Sequence, residues 1–209
     1  MEDAVGAALR GELIVLPTDT VYGIATRPDR PEATAALFAA KGRDRGLQLP
    51  VLAPSIASAA EIAQVDERAE RLASELWPGA LTLVLLRTAE SRAWDLGDEV
   101  ETIGVRVPHH PLALAVLKGT GPLAVTSANR TGSPTPSACD ELEAVFGEDV
   151  SVYLCEEVPL TGRASTVVDL AHGEPAILRL GSVDERTISR MLAGERPTAR
   201  LAPPWPTCL

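Results

Sequence analysis

Lys41-Gly42-Arg43-Asp44-Arg45-Gly46 sets three cations and two glycines side by side in a chain of 209 residues with a formal net charge of -10. Such a cluster has two uses. It can finish a helix, with Gly42 as the stop and the cations complementing the helix dipole. It can also form a loop that binds an anion. The choice depends on what other donors the chain brings to the same place.

Several stretches offer them. Pro17-Thr18-Asp19-Thr20-Val21-Tyr22-Gly23 gathers hydroxyls and a carboxylate just past the apolar run Leu13 to Leu16, where ligands sit in open α/β sheets; a turn capped by Thr and Asp side chains is the plainer use. Arg106 interrupts the buried-looking run Thr102 to Pro108. A cation there needs a partner, either a core carboxylate or the carboxylate of a ligand held by its bidentate fork. Thr126-Ser127-Ala128-Asn129-Arg130-Thr131-Gly132-Ser133-Pro134-Thr135-Pro136-Ser137 presents hydrogen-bonding groups for an anion or nucleotide, or is a polar loop in which Ser137 caps the next helix. Gly162 to Asp169 repeats the pattern of small polar residues leading into a β-branched run, and Arg179 stands near the end of the last strand. His109 and His110 are adjacent and do not share a helix face, which argues against a metal pair.

These residues need elements to hold them. Helical spacing covers Ala4 to Arg10, Pro31 to Ala40, Ser55 to about Gln64, Asp66 to Leu76, Pro111 to Lys118, Cys139 to near Gly147 and Asp184 to Ala193. Short apolar runs predict strands at Leu13 to Leu16, Pro50 to Ala53, Leu81 to Leu86, Thr102 to Val107, Pro122 to Val125, Val152 to Leu154, Thr166 to Asp169 and Ala176 to Leu180. Trp77 reads as a packed anchor beside the break at Pro78-Gly79. Thr88 to Glu101 reads as an irregular surface excursion with Trp94 its one unexplained apolar residue, and Arg196 to Leu209 as an extended, proline-rich tail. Neither a second domain nor a repeat is evident.

Composition narrows the function classes. With 45% hydrophobic and 23% charged residues the chain is globular, long enough for one generous domain. A pI near 4.8 argues against a broad electrostatic footprint on nucleic acid, so any RNA contact is local. No apolar run approaches the ~20 residues of a membrane span, and no export signal follows the acidic start. Cys139, Cys155 and Cys208 are odd in number and widely spaced, which predicts neither a disulfide framework nor a zinc site and favours a reducing cytoplasm.

The ordered set Pro17-Thr18-Asp19-Thr20-Val21-Tyr22-Gly23, Lys41-x-Arg43, Trp77-Pro78-Gly79-x-Leu81-Thr82, Val105-Arg106-x-Pro108, Ser127-Ala128-Asn129-x-x-Gly132, Ser165-Thr166-Val167-Val168-Asp169 and Leu178-Arg179-x-Gly181 resembles the Sua5/YrdC/YwlC family over about residues 5 to 183. Each motif alone is weak, but their order and spacing are specific. The resemblance implies an α/β (α+β) fold of the YrdC/RibB-like kind, a mixed twisted sheet flanked by helices with a concave ligand cavity. The catalytic domain would cover 1–183, with a short C-terminal helix and tail over 184–209. It implies threonylcarbamoyl-AMP synthesis from L-threonine, bicarbonate and ATP, with Mg²⁺ accompanying the ATP. The product serves N6-threonylcarbamoylation of adenosine 37 in tRNA, which requires transferase partner proteins and brings tRNA or RNA into consideration as a partner.

By resemblance, Lys41, Arg43, Ser127 and Asn129 form the catalytic cluster around the nucleotide, and Leu47, Thr102, Ser137 and Arg179 match further ATP-contacting positions. Thr20, Leu52, Arg106, Ser127 and Ser165 match the threonine site, with Arg106 on the carboxylate. Asp44, Gln48 and Leu180 replace prolines common in the family, which predicts a looser loop after Lys41-x-Arg43. Related domains make other carbamoyl adenylates, and a non-catalytic RNA-binding module is the remaining alternative.

Overall fold

The computed structural model describes residues 1–160 and 162–194. Its helices begin and end where local chemistry sets them. α1 (Glu2–Arg10) stops at Gly11, and α2 (Pro31–Lys41) starts on a proline, whose fixed φ suits a first turn, and stops at Gly42. Gly42 has φ 59°, a left-handed conformation that costs a residue with a side chain about 1 kcal/mol or more. Side chains of Ser55 and Asp66 accept the backbone N–H of Ser58 and Ala69, capping α3 (Ile56–Ile62) and α4 (Glu67–Leu76). Further along lie α5 (Ala89–Arg92), α6 (Pro111–Thr120), α7 (Cys139–Phe146) and α8 (Glu185–Leu192).

Among the described residues nine strands form one mixed sheet: β1 (Ile14–Leu16), β2 (Gly23–Thr26), β3 (Val51–Leu52), β4 (Leu81–Leu86), β5 (Thr102–Arg106), β6 (Leu123–Ser127), β7 (Val152–Tyr153), β8 (Thr166–Asp169) and β9 (Ala176–Arg179). Their order is β7-β1-β2-β6-β3-β5-β4-β8-β9. Only β1–β7, β3–β5 and β4–β8 run parallel.

Strand alternation divides the core into two layers. Ile14, Leu16, Ala25, Leu123 and Val125 meet the alanine-rich face of α1 and the apolar face of α6. Val15, Ile24, Ala124, Leu83 and Val105 point the other way, into a larger cluster with α2, α4 and α7. Trp77 is the expected anchor, 6% exposed, with its indole N–H on the Leu81 carbonyl.

Several expectations change. Gly23 to Thr26 is a strand, paired antiparallel to β1, which makes Pro17 to Tyr22 a hairpin connection. The excursion from Thr88 to Glu101 is built around Arg87, 1% exposed, whose guanidinium donates to the carbonyls of Ser91, Trp94, Glu99 and Thr102. Leu96 is fully buried there and Trp94 packs on the core. Ser137 does not cap α7, because Ala138 holds the cap position and the Glu141 carboxylate accepts the N–H of Ser137 instead. The loop after Arg43 is fastened by Gln48, whose amide donates to the carbonyls of Glu99 and Thr102, a role proline cannot fill.

The cysteine expectation also fails. Cys139 and Cys155 form a disulfide, with Cα atoms 5.7 Å apart. The start of α7 and the residues just past β7 return to the same corner although 16 residues separate the cysteines, which linear spacing does not reveal. The expected tail from Arg196 to Leu209 lies outside the described residues.

Candidate active site

A cavity of about 250 Å³ opens across the middle of the sheet. It is lined from β2 by Gly23, from β3 by Leu52, from β4 by Thr82, from β5 by Arg106 and from β6 by Val125 to Ser127, with Arg179 entering from β9. Register explains the gathering: Gly23 pairs with Ser127 and Leu52 with Arg106, so their side chains share one side of the sheet. Ser165, just before β8, and Arg43, just past α2, complete the wall.

On one side stands Arg106, 6% exposed. Its NH2 forms a 2.5 Å ion pair with Asp19 Oδ1, its Nε donates to the Gly79 carbonyl at 2.9 Å, and its NH1 donates to Thr20 Oγ1 at 2.9 Å. Asp19 Oδ1 also accepts the backbone N–H of His109. Burial is the main influence pulling the Arg106 guanidinium below its ordinary pKa, and Asp19 opposes it. Thr18 gives its proton to the Val21 carbonyl at 2.6 Å, so across the 2.9 Å contact between Thr18 and Thr20 the donor is Thr20. Thr20 therefore offers the cavity a lone pair and no proton.

Arg43 and Arg179 stand on the other side, with carbonyl and hydroxyl partners only among the described residues. Arg43 donates to the carbonyls of Leu47 (2.7 Å) and Gln48 (3.0 Å). Arg179 donates to the carbonyl and hydroxyl of Ser165, at 2.9 and 3.0 Å from NH2. Burial lowers both guanidinium pKa values, and the charge of Arg179 lowers that of Arg43 further. Two cations held close without a carboxylate favour an incoming anion.

Behind this side lies Lys41, 2% exposed, its Nζ 2.6 Å from the Ser127 carbonyl, 2.5 Å from the Asn129 carbonyl and 3.4 Å from Asn129 Oδ1. Burial, and then the charge of Arg43, bring its pKa down to about 8. Thr131 N–H and Arg130 cap the last carbonyls of α2, so the loop after β6 is docked on that helix end. Both uses of the Lys41 to Gly46 cluster are present: Gly42 ends the helix and Arg43 reaches the cavity. Arg45 is a surface charge, paired with Asp95 and Asp98 and stacked 4.9 Å from the Phe38 ring.

Thr20, Arg43, Leu52, Arg106, Ser127, Ser165 and Arg179 all line the cavity. Lys41 and Asn129 support it from behind, Asn129 accepting the Ser127 hydroxyl at 2.5 Å. Leu47 is 52% exposed on the loop and contributes its carbonyl to Arg43. Thr102 lies at the opposite end of β5 from Arg106, linked to Arg43 through Gln48. Ser137 lies beyond the lining residue Thr135. Asp19 and Thr82 escaped sequence reasoning as site residues. The buried cation Arg106 was the signal for Asp19, and the lone hydroxyl among the apolar residues of β4 was the signal for Thr82.

The geometry has known relatives. The Sua5/YciO/YrdC family model, described as telomere recombination, matches residues 7–181. A Mycobacterium tuberculosis protein, whose name of threonylcarbamoyl-AMP synthase is provisional, is 40% identical over 190 residues, covering 90% of this chain and 87% of its own. The threonylcarbamoyl-AMP synthase of Bacillus subtilis is 31% identical over 199 residues, and the match takes in 90% of this chain but 56% of that protein. Among solved structures, Pyrococcus abyssi Sua5 complexed with L-threonine aligns with a TM-score of 0.82 and 30% identity over 92% of this chain and 57% of that one. With the family model spanning most of the chain and the cavity built from its motifs, the chain belongs to the Sua5/YciO/YrdC family.

Proposed function

We propose that this chain is a threonylcarbamoyl-AMP synthase, a nucleotidyltransferase that forms threonylcarbamoyl adenylate and pyrophosphate from L-threonine, bicarbonate or CO₂, and ATP. The observation that carries the reading is the cavity's division into a neutralised side, Arg106 with Asp19, and a cationic side, Arg43 with Arg179, in a chain whose net charge is -10. The first suits an amino acid, whose own charges cancel. The second suits a triphosphate.

No nucleophilic side chain is required. The threonine amine attacks CO₂, losing a proton, and forms an N-carboxylate. An oxygen of that carboxylate bonds to the α-phosphorus of ATP as the bond from phosphorus to the β-phosphate bridging oxygen breaks, and pyrophosphate leaves. Positioning and charge stabilisation carry such a step. Arg43 and Arg179 stabilise the departing charge, and Lys41 holds the Ser127–Asn129 loop in shape.

Mg²⁺ belongs to the substrate. Among the described residues no group of three or more His, Cys, Asp or Glu is placed to hold a metal ion. Asp19, the carboxylate paired with the cavity's Arg106, is committed to Arg106 and His109. Mg²⁺ would arrive on the ATP phosphates, whose oxygens are the hard ligands it prefers.

The adenylate would pass to transferase proteins that modify tRNA, with tRNA as a downstream partner and the cytoplasm as the expected compartment. No described helix is long and apolar enough to cross a membrane. The test is incubation with ATP, Mg²⁺, bicarbonate and each of several amino acids, with the adenylate identified by mass. Pyrophosphate release should require both threonine and bicarbonate; release independent of either overturns the reading.

A further inference from the structure

Thr82 carries a hydroxyl that the reaction described above leaves unassigned. It is 7% exposed, lines the cavity, and its Oγ1 lies 2.9 Å from Ser165 Oγ. Next along the register from the Leu83–Val105 pair, it is set against Arg106. Ser165 Oγ in turn accepts from Arg179 NH2 at 3.0 Å.

Counting protons shows what this arrangement presents to a ligand. The two hydroxyls have two protons, and one is used between them. Arg179 supplies its own donor to Ser165 and takes neither. One hydroxyl proton is left over on the Thr82–Ser165 pair, beside Arg106. Thr20, across from it, has given its proton to Thr18 and presents a lone pair. A donor beside a guanidinium and an acceptor a short distance away match the carboxylate and the ammonium of one amino acid.

We propose that Thr82 is a positioning residue for the amino-acid carboxylate: by pairing with Ser165 it turns the leftover hydroxyl proton toward the ligand oxygen that Arg106 receives. The proposal rests on the threonylcarbamoyl-AMP synthase reading. Without the Thr82 hydroxyl, Ser165 keeps its Arg179 contact but loses the partner that orders its proton.

The experiment measures pyrophosphate release against threonine concentration at saturating ATP and bicarbonate. Thr82→Val, which keeps the branched shape, should raise the threonine KM about 3- to 10-fold, the size of one neutral hydrogen bond, with kcat and the ATP KM within about twofold of wild type. Thr82→Ser, which drops the methyl and keeps the hydroxyl, should stay within about twofold of wild type. On a Ser165→Ala background, Thr82→Val should add less than about twofold. A packing role predicts the reverse ranking, with Thr82→Ser worse than Thr82→Val, and that result overturns the proposal, as does a Thr82→Val enzyme that behaves as wild type. If the valine variant does not fold, Thr82→Cys, with its weak donor, should show the same rise. Wild-type protein with no threonine-dependent pyrophosphate release would instead refute the parent reading.

Discussion

The two sides of the cavity hold their cations differently. Arg106 is bonded at Nε, NH1 and NH2, one contact being the Asp19 carboxylate. Arg43 and Arg179 are bonded to neutral oxygens and repel each other. The first side is complete as a structural unit and the second leaves charge unspent. Stability and substrate affinity should therefore separate between them.

The largest expected effect breaks the complete side. Arg106→Ala leaves Asp19 buried without its cation, so urea unfolding should show a loss of about 3–5 kcal/mol, with threonine binding abolished. A loss under about 1 kcal/mol would erase the distinction between the sides.

Next comes the staple between the start of α7 and the residues just past β7. Replacing Cys139 with serine releases a 16-residue loop and should cost up to about 3 kcal/mol in thermal unfolding under oxidising conditions. The difference from wild type should vanish once both proteins are reduced.

Arg43→Ala and Arg179→Ala should each raise the ATP KM about 10- to 100-fold, the range of a lost charged hydrogen bond, with melting temperature unchanged or slightly higher because repulsion is relieved. A fall in melting temperature comparable to that of Arg106→Ala would count against unspent charge.

The smallest effect is a pH dependence at Lys41, and it has opposite signs for activity and stability. As pH rises through about 8 the buried amine loses a proton and one of its donors to the Ser127–Asn129 loop, so ATP use should decline. Its folded pKa lies below the unfolded 10.5, so between about 8 and 10.5 the unfolded chain holds the extra proton and this group makes folding more favourable as pH rises. Lys41→Met should remove both trends, read from the pH profile of the ATP KM and from urea unfolding at pH 7 and 9.5.

Much of this was legible in the sequence because strand, helix and cap signals are local. Gly42 stops α2 and Asp66 caps α4 through neighbours only a few residues away. Arg106 announced that it needed a partner, yet the partner lies 87 residues earlier, and nothing local joins the two. The charge of Lys41 is visible in the sequence and its burial is not; three oxygens from a loop 86 to 88 residues away hold its amine. The Cys139–Cys155 bond was hidden for the same reason. β2 was missed because four small or branched residues beside a polar turn carry too little period to stand out.

Gly162 and Gly181 carry a consequence of another kind. A side-chain carbon on Gly162 would fall 1.8 Å from the Thr20 carbonyl oxygen, and one on Gly181 would fall 2.1 Å from that of Ala164. In a saturation screen scored by growth or turnover, both positions should rank with the arginines as intolerant, although neither has a side chain to offer a substrate. Sorting such a screen for chemistry means first setting aside the sites where the chain only needs room to pass itself.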